Sequence, residues 1–260
     1  GGVVQDVTAF IASILFRGVK WVFCPTTLLA QADSCIGGKS SINVGEFKNQ
    51  VGTFYPPFDI FIDTSFLKSL STADMKSGIG EIMHYYIYAS DHLLAALKND
   101  YEQMVAEGVN LGKHIRESLR IKKAVIEIDE FDRHERRKFN YGHTFGHAIE
   151  SVTNYSINHG QAVTVGMDAA NYLSMKMGIM EEGVYRRIHT ILALNFPTYN
   201  WSGIDIDRYV DALSKDKKNV GGRLGCILAQ EPGALCSEQL VMDDEFKNCI
   251  RSYFSAEVLS

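Results

Sequence analysis

The run Asn140-Tyr-Gly-His143-Thr-Phe-Gly-His147-Ala-Ile-Glu150, closed by His159-Gly-Gln-Ala-Val163, sets three imidazoles within one short stretch of chain. His143 and His147 are four residues apart, so on a helix they leave the same face, and His159 is expected to return from the loop that follows. A chain that converges three imidazoles in this way assembles a metal or proton-transfer centre. Asn140 and Glu150 add polar groups to the same segment, and Gly142 and Gly146 keep it small.

At 260 residues, with 46% hydrophobic and 22% charged, the chain can bury a substantial core, as two lobes or one large domain. A formal charge of -5 with scattered Lys and Arg leaves no basic stripe. That argues against a nucleic-acid surface and for small-molecule partners, with local basic pockets still able to bind phosphate. No apolar run reaches the roughly 18 residues that span a bilayer, and no charged-then-apolar leader opens the sequence. Five cysteines, an odd number without metal-ligand spacing, fit free thiols in a reducing cytoplasm.

Residues 1–64 alternate glycine-rich turns, a helix expected over Val7 to Phe16, and strand-like runs at Val19–Cys24 and Phe58–Asp63. Alternation of this kind predicts α/β structure, a parallel sheet with covering helices. Gly1-Gly2-Val-Val-Gln-Asp6 reads as a turn that follows a strand, yet no strand precedes it, so the sequence is expected to begin in mid-domain. Residues 65–260 read as a second, mainly α-helical domain. Apolar residues fall at helical spacing over Ser71–Tyr88, Asp91–Glu107, Gly112–Glu127, Gly142–Thr153, Ala162–Met177 and Ile206–Leu213, the last with Asp205 as its cap. A turn and short strand are expected from Val220 and a closing helix from Asp243.

Four further groups carry chemistry. Gly1-Gly2-x-x-x-Asp6, at a strand-to-helix turn, offers free backbone N–H groups to a pyrophosphate, although paired glycines are as often only a turn. Pro25-Thr26-Thr27 through Asp33, Gly37-Gly38-Lys39-Ser40 and Lys48-Asn49 hold glycines, hydroxyls, lysines and asparagines suited to an anionic, polyhydroxylated substrate beside a nucleotide. The apolar Ile36, Ile42 and Val44 among them imply that the lysines are partly buried. Glu81 and His84, three apart on a helix, share a face on which the carboxylate is a candidate hard ligand, while spacing alone reads Glu81 as a surface residue. Lys122 and the charge run Asp129–Lys138 read as a solvated face from which one or two cations reach into a site.

In their order along the chain these motifs resemble 3-dehydroquinate synthase and the wider sugar-phosphate cyclase family. The resemblance runs from residue 1 to about residue 230 through Gly1–Asp6, Phe16-Arg17-Gly18, Pro25–Gln31, Asp33–Lys39, Gly45–Asn49, Glu81, Lys122, Asp129-Glu130, Arg136, Asn140–His147, His159–Val163 and Asp216-Lys217-Lys218. It implies the C-terminal portion of a Rossmann-like nucleotide-binding domain, then an α-helical metal-binding domain, with the active site in the cleft between them. Glu81, His143 and His159 are implied as ligands of one divalent metal, zinc or cobalt. Gly1, Gly2, Asp6, Thr26, Thr27, Asp33, Lys39, Lys48, Ser69 and Leu70 are implied to border NAD. Lys39, Asn49, His84, Lys122, Arg136, Asn140 and His147 are implied to hold substrate, with Arg17 reaching the phosphate across a homodimer interface.

The activity implied is a carbon-oxygen lyase reaction on a phosphorylated seven-carbon keto sugar acid: transient oxidation by NAD, β-elimination of phosphate, return of the hydride, and aldol closure to 3-dehydroquinate. Three positions depart from the family pattern. His84 stands where a lysine is usual, Gln161 where a glutamate usually follows His159-Gly, and Asp132 where a glutamate is common. His84 makes another sugar-phosphate cyclase the first alternative. An NAD- and metal-dependent polyol dehydrogenase of related fold, whose first ligand is typically aspartate, is the second, and a non-catalytic homologue the third.

Overall fold

Thr72–Ala89, Asp91–Glu107 and Leu111–Ile128 form three successive long helices in the computed structural model, within a residue of where apolar periodicity expects them. The structure describes residues 2–44, 47–215, 219, 221–255 and 259; the side chains of Asn43, Phe47, Lys48 and Asn49 lie outside that description. Gly1, the side chains of Lys48 and Asn49, and Asp216-Lys217-Lys218, all named from the sequence, therefore fall outside the described residues.

The protein is mixed α/β. In chain order its elements are α1 (Gly2–Ile14), β1 (Val22–Phe23), β2 (Ile42–Val44), β3 (Phe47–Val51), β4 (Asp59–Ile60), α2 (Thr72–Ala89), α3 (Asp91–Glu107), α4 (Leu111–Ile128), α5 (His143–Val152), α6 (His159–Lys176), α7 (Glu182–Leu192), α8 (Ile206–Ser214), β5 (Leu224–Glu231), β6 (Ala234–Leu240) and α9 (Asp244–Tyr253). Two compact units divide them, one of Gly1–Gly78 with Glu102–Arg136, the other of Ile79–Tyr101 with Arg137–Ser260. Among the described residues no helix is long and apolar enough to cross a membrane.

In the first unit, β1 and β4 pair in parallel with Val22 opposite Asp59 and Phe23 opposite Ile60, and β2 and β3 pair antiparallel. The six-residue runs expected as strands are correct in place but keep ladder pairing over only two residues each. A small core of Phe23, Ala30 and Cys35, flanked by Trp21, Ile36, Ile60 and Leu119, seats this pair against α4. The first helix differs from expectation. It starts at Gly2, so that glycine is helical and not part of a preceding turn, and it stops at Ile14 because Phe16, Arg17 and Gly18 all take positive φ (49°, 66° and 126°).

The second unit is built around α6, in which every residue from Gly160 to Ser174 is buried. A helix enclosed on all sides must satisfy its polar side chains internally. Thr164 Oγ1 donates to Gly160 O at 2.7 Å, Ser174 Oγ to Ala229 O at 2.5 Å, and Asn171 Oδ1 accepts from Tyr141 at 2.6 Å. The helix begins three residues earlier than its apolar pattern announces, which places His159 at its first position and not in the loop. The β5–β6 hairpin, of which only a short first strand is expected from sequence, turns at Gly233 (φ 90°), whose N–H donates to Ile87 O at 2.8 Å. The amphipathic α7 is absent from the expected helices, and buries Tyr185, Ile188, Ile191 and Leu192.

Asp168 joins three of these helices: its fully buried carboxylate accepts from His189 Nδ1 on α7 at 2.9 and 3.0 Å and from the Tyr253 hydroxyl on α9 at 3.0 Å. The hydrogen bond to Asp168 raises the His189 pKa against the opposing effect of burial. The stability this adds is complete below the unfolded-state histidine pKa and is lost as pH rises through the raised folded value. His189→Ala leaves the buried carboxylate without its imidazole partner, facing the neutral Tyr253 hydroxyl, and is expected to cost about 3 kcal/mol, lowering the melting temperature by about 6–12 °C. Melts at about pH 6 and about pH 9, either side of the imidazole range, should show a decline in the parent that the variant lacks.

Candidate functional site

Close helix crossings within the second unit set the geometry of the site. A Cβ on Gly80, next to Glu81, would lie 2.1 Å from the carbonyl oxygen of Gly160, next to His159, so α2 and α6 meet backbone to backbone. A Cβ on Gly166 would lie 2.2 Å from Gly142 O and 2.5 Å from Gly146 N, so α5 and α6 are equally close. Three helices thereby bring Glu81, His143 and His159 to one point, with ligand atoms all within 4.8 Å of one another.

Glu81 is 2% exposed, not the surface residue that spacing alone reads. Its Oε1 lies 3.1 Å from His159 Nε2 and 3.6 Å from His143 Nε2, and accepts no hydrogen bond of normal geometry. A buried carboxylate oxygen in that condition, facing two ring nitrogens, offers donor atoms of the kind a divalent cation takes. Burial by itself raises the Glu81 pKa, but the charge and contacts of His143, with those of His159, outweigh it and hold the group well below the usual carboxylate range. Burial likewise opposes protonation of His159, and there the contacts of Glu150 and Glu81 prevail and push its pKa up to about 10. His143 Nδ1 lies 3.2 Å from Tyr141 O, which turns its Nε2 toward Glu81.

Around this point stand two more imidazoles. His147 lies 5.7 Å, centroid to centroid, from both His143 and His159, and its ring is nearly parallel to the latter. His84 is 1% exposed, boxed by Tyr85, Phe139, Tyr141 and the His143 ring at 5.0 Å. Asn140, in the same unit, donates from Nδ2 to Arg137 O at 2.8 Å.

The remaining expected site residues belong to the first unit. Lys122 Nζ pairs with Asp33 Oδ1 at 2.8 Å and donates to Asp33 O at 2.7 Å, so an expected substrate cation and an expected NAD neighbour hold each other. Lys39 pairs with Asp132 at 2.7 Å and its side chain is 45% exposed, while the side chain of Lys48, the other lysine of the same apolar frame, lies outside the described residues. Arg136 is buried within a run read as solvated, and donates to the carbonyl oxygens of Glu130 and Gly37. Asp129 is the second exception in that run, accepting the N–H groups of Arg133, His134 and Arg136. Asp6 accepts from Ser41 N at 3.2 Å, Thr27 Oγ1 from Ala30 N at 3.2 Å, and Ser69 Oγ donates to Phe66 O at 3.2 Å in the turn that Leu70 closes. Thr26 and Arg17 are exposed.

Two family models divide the chain between them: the 3-dehydroquinate synthase N-terminal model matches residues 1–77, and the C-terminal model residues 78–219. The chain belongs to the 3-dehydroquinate synthase family. It is 40% identical over 255 residues to the 3-dehydroquinate synthase of Dictyoglomus thermophilum, an alignment that covers 97% of this chain and 70% of that protein. The corresponding enzyme of Dictyoglomus turgidum is 42% identical over 253 residues, covering 96% and 70%. Among solved structures, 2-deoxy-scyllo-inosose synthase complexed with carbaglucose-6-phosphate, NAD+ and Co2+ superposes with a TM-score of 0.86 at 26% identity, covering 98% of this chain and 71% of that one.

One residue of this family member is named in the sequence only as a polar neighbour of the histidines and is given no role there. Glu150 Oε1 lies 3.2 Å from His159 Nδ1, while Gln161, which stands where the family pattern has glutamate, donates instead to Asn195 O at 3.2 Å. The signal was its helical offset: Glu150 lies three residues past His147 and seven past His143, on one face of α5.

Proposed function

We propose that the chain acts as a 3-dehydroquinate synthase-like carbon-oxygen lyase, eliminating phosphate from a seven-carbon keto sugar-acid phosphate and closing it to 3-dehydroquinate with NAD and one divalent metal. The observation that carries the reading is the convergence of Glu81, His143 and His159 in a chain of this family. Those three side chains would hold zinc or cobalt. When bound, the metal lowers the pKa of a substrate hydroxyl and polarises the ketone derived from it, and NAD supplies a hydride acceptor that is regenerated within the cycle.

The chain's own residues supply binding and proton handling. His147, beside both imidazoles without being needed as a ligand, is assigned to substrate contact and proton relay. Lys39 and Lys122 each rest on a carboxylate, so an anionic substrate exchanges one ion pair for another and meets no bare buried charge. Arg136 spends two contacts on carbonyl oxygens, and a guanidinium has five N–H donors, which leaves others for a carboxylate or phosphate. Asn49, Asn140 and His84 complete the proposed substrate contacts, and Asp6, Thr26, Thr27, Asp33, Lys48, Ser69 and Leu70 the proposed NAD contacts. A homodimer with Arg17 at the partner's phosphate site belongs to the same proposal, tested by the mass of the purified protein in solution.

A second reading, another sugar-phosphate cyclase, is favoured by His84. A shorter ring boxed by aromatic side chains replaces the extended cation of the family pattern. The two readings share an assay. Incubation with substrate, NAD and zinc or cobalt should release inorganic phosphate with no net rise in reduced-nicotinamide absorbance, and comparing the keto sugar acid with other sugar phosphates then ranks the cyclases. Accumulation of NADH without phosphate would instead show a polyol dehydrogenase, and neither signal a binding module.

A further inference from the structure

His159 sits at the junction of two overlapping groups of ligand atoms. Glu81, His143 and His159 form one, His147, Glu150 and His159 the other, and within each the atoms lie inside 4.8 Å. The carboxylates of the two groups face opposite nitrogens of the same ring: Glu81 is 3.1 Å from Nε2 and Glu150 3.2 Å from Nδ1. The imidazole that takes an ion is the neutral ring, with one N–H and one lone pair, so it cannot give a lone pair on both sides at once. Which group takes an ion is therefore decided by which nitrogen carries the proton.

The surroundings decide it. Glu150 is 6% exposed, and an ionised carboxylate only accepts, so a neutral His159 ring carries its proton on the nitrogen 3.2 Å from Glu150 Oε1. His143 provides the comparison within the same site. Its Nδ1 faces the carbonyl of Tyr141, which only accepts, so the neutral ring carries its proton on Nδ1 and leaves Nε2 toward Glu81. Glu150 imposes the same arrangement on His159. The amide of Gln161, the next polar side chain along α6, is turned to Asn195 and takes no part.

We propose that Glu150 is a positioning residue: by accepting Nδ1–H of His159 it fixes the tautomer that selects the Glu81–His143–His159 group, and not the overlapping His147–Glu150–His159 group, as the single divalent-cation site. The inference rests on the metal site proposed for this chain. It assigns Glu150 no contact with substrate or ion, only the orientation and basicity of a ligand.

The test titrates zinc and cobalt, each alone, into the full chain against a chelator, with [15N]histidine spectra of the zinc-loaded protein. The parent should take one equivalent, with Nδ1 of His159 protonated. Glu150→Ala should bind about 10- to 100-fold more weakly, with the His159 tautomer no longer fixed and His143 unchanged. Glu150→Gln, nearly isosteric and still able to accept, should fall between the two, and it carries the test if the alanine variant does not fold. Parent-like affinity in both variants overturns the inference while leaving the ion site standing. A second equivalent in the parent that Glu150→Ala abolishes also overturns it, because Glu150 is then itself a ligand. No binding by the parent removes the ion site and the inference together.

Discussion

Glu81→Ala is expected to lose divalent-ion binding by about 100- to 3,000-fold, the largest single effect in the molecule. Among the described residues Glu81 is the one carboxylate facing both imidazole Nε2 atoms, and it is deeply buried. Removing one partner from a buried charged set typically costs about 3–5 kcal/mol, at about 1.4 kcal/mol per tenfold in affinity. The two imidazoles that remain bring no compensating charge to a cation. Metal analysis after dialysis, with chelator competition, reads the result directly. Full metal retention by a folded Glu81→Ala protein rejects the ligand assignment and the cyclase reading built on it.

Gly80→Ala should destabilise the protein by about 3 kcal/mol and weaken ion binding together, since overpacking costs of this order follow when neighbours cannot yield. The added Cβ would meet a main-chain oxygen at 2.1 Å and Thr164 Oγ1 at 2.7 Å. The hydroxyl can rotate away, whereas the carbonyl cannot. Relief requires α2 to move from α6, and the residues following Gly80 and preceding Gly160 are Glu81 and His159 themselves. A matched control is Gly112→Ala on α4, where nothing lies within 4 Å. There a small gain, up to about 1 kcal/mol from helix propensity, is expected. Thermal melts and chelator titrations on both variants test this. Equal behaviour of the two would show that the crossing is not what sets the ligand geometry.

The long helices were legible because their apolar residues repeat at helical spacing: α3 runs from Asp91 to Glu107 as read, and α2 and α4 differ by a residue at each end. The site was legible where chemistry is written in residue type. The three histidines mark themselves by residue type and Glu81 only through the family resemblance, and the structure brings Glu81, His143 and His159 together. Burial was not legible. Nothing in Glu81-Ile-Met-His84 says that both of its polar side chains are buried, nor that Arg136 and Asp129 lie inside an otherwise solvated charge run. The start of α6 was missed because His159, Gly160 and Gln161 carry no apolar signal; their helical state comes from packing. Short strands were overestimated for a related reason, since β-branched and aromatic residues mark a strand without saying how far a neighbour accompanies it.

The second unit is entered by the chain twice, first over residues 79–101 and again from residue 137, after an excursion through the other unit. Glu81 arrives on the first passage, and His143 and His159, the two imidazoles proposed to join it on an ion, on the second. An ion taken up there behaves as a removable staple between two lengths of polypeptide that are far apart in sequence, opposing the loop-closure entropy that separates them. At free ion a thousand times the dissociation constant the gain is about 4 kcal/mol. Chelation would then soften the scaffold as well as disarm it.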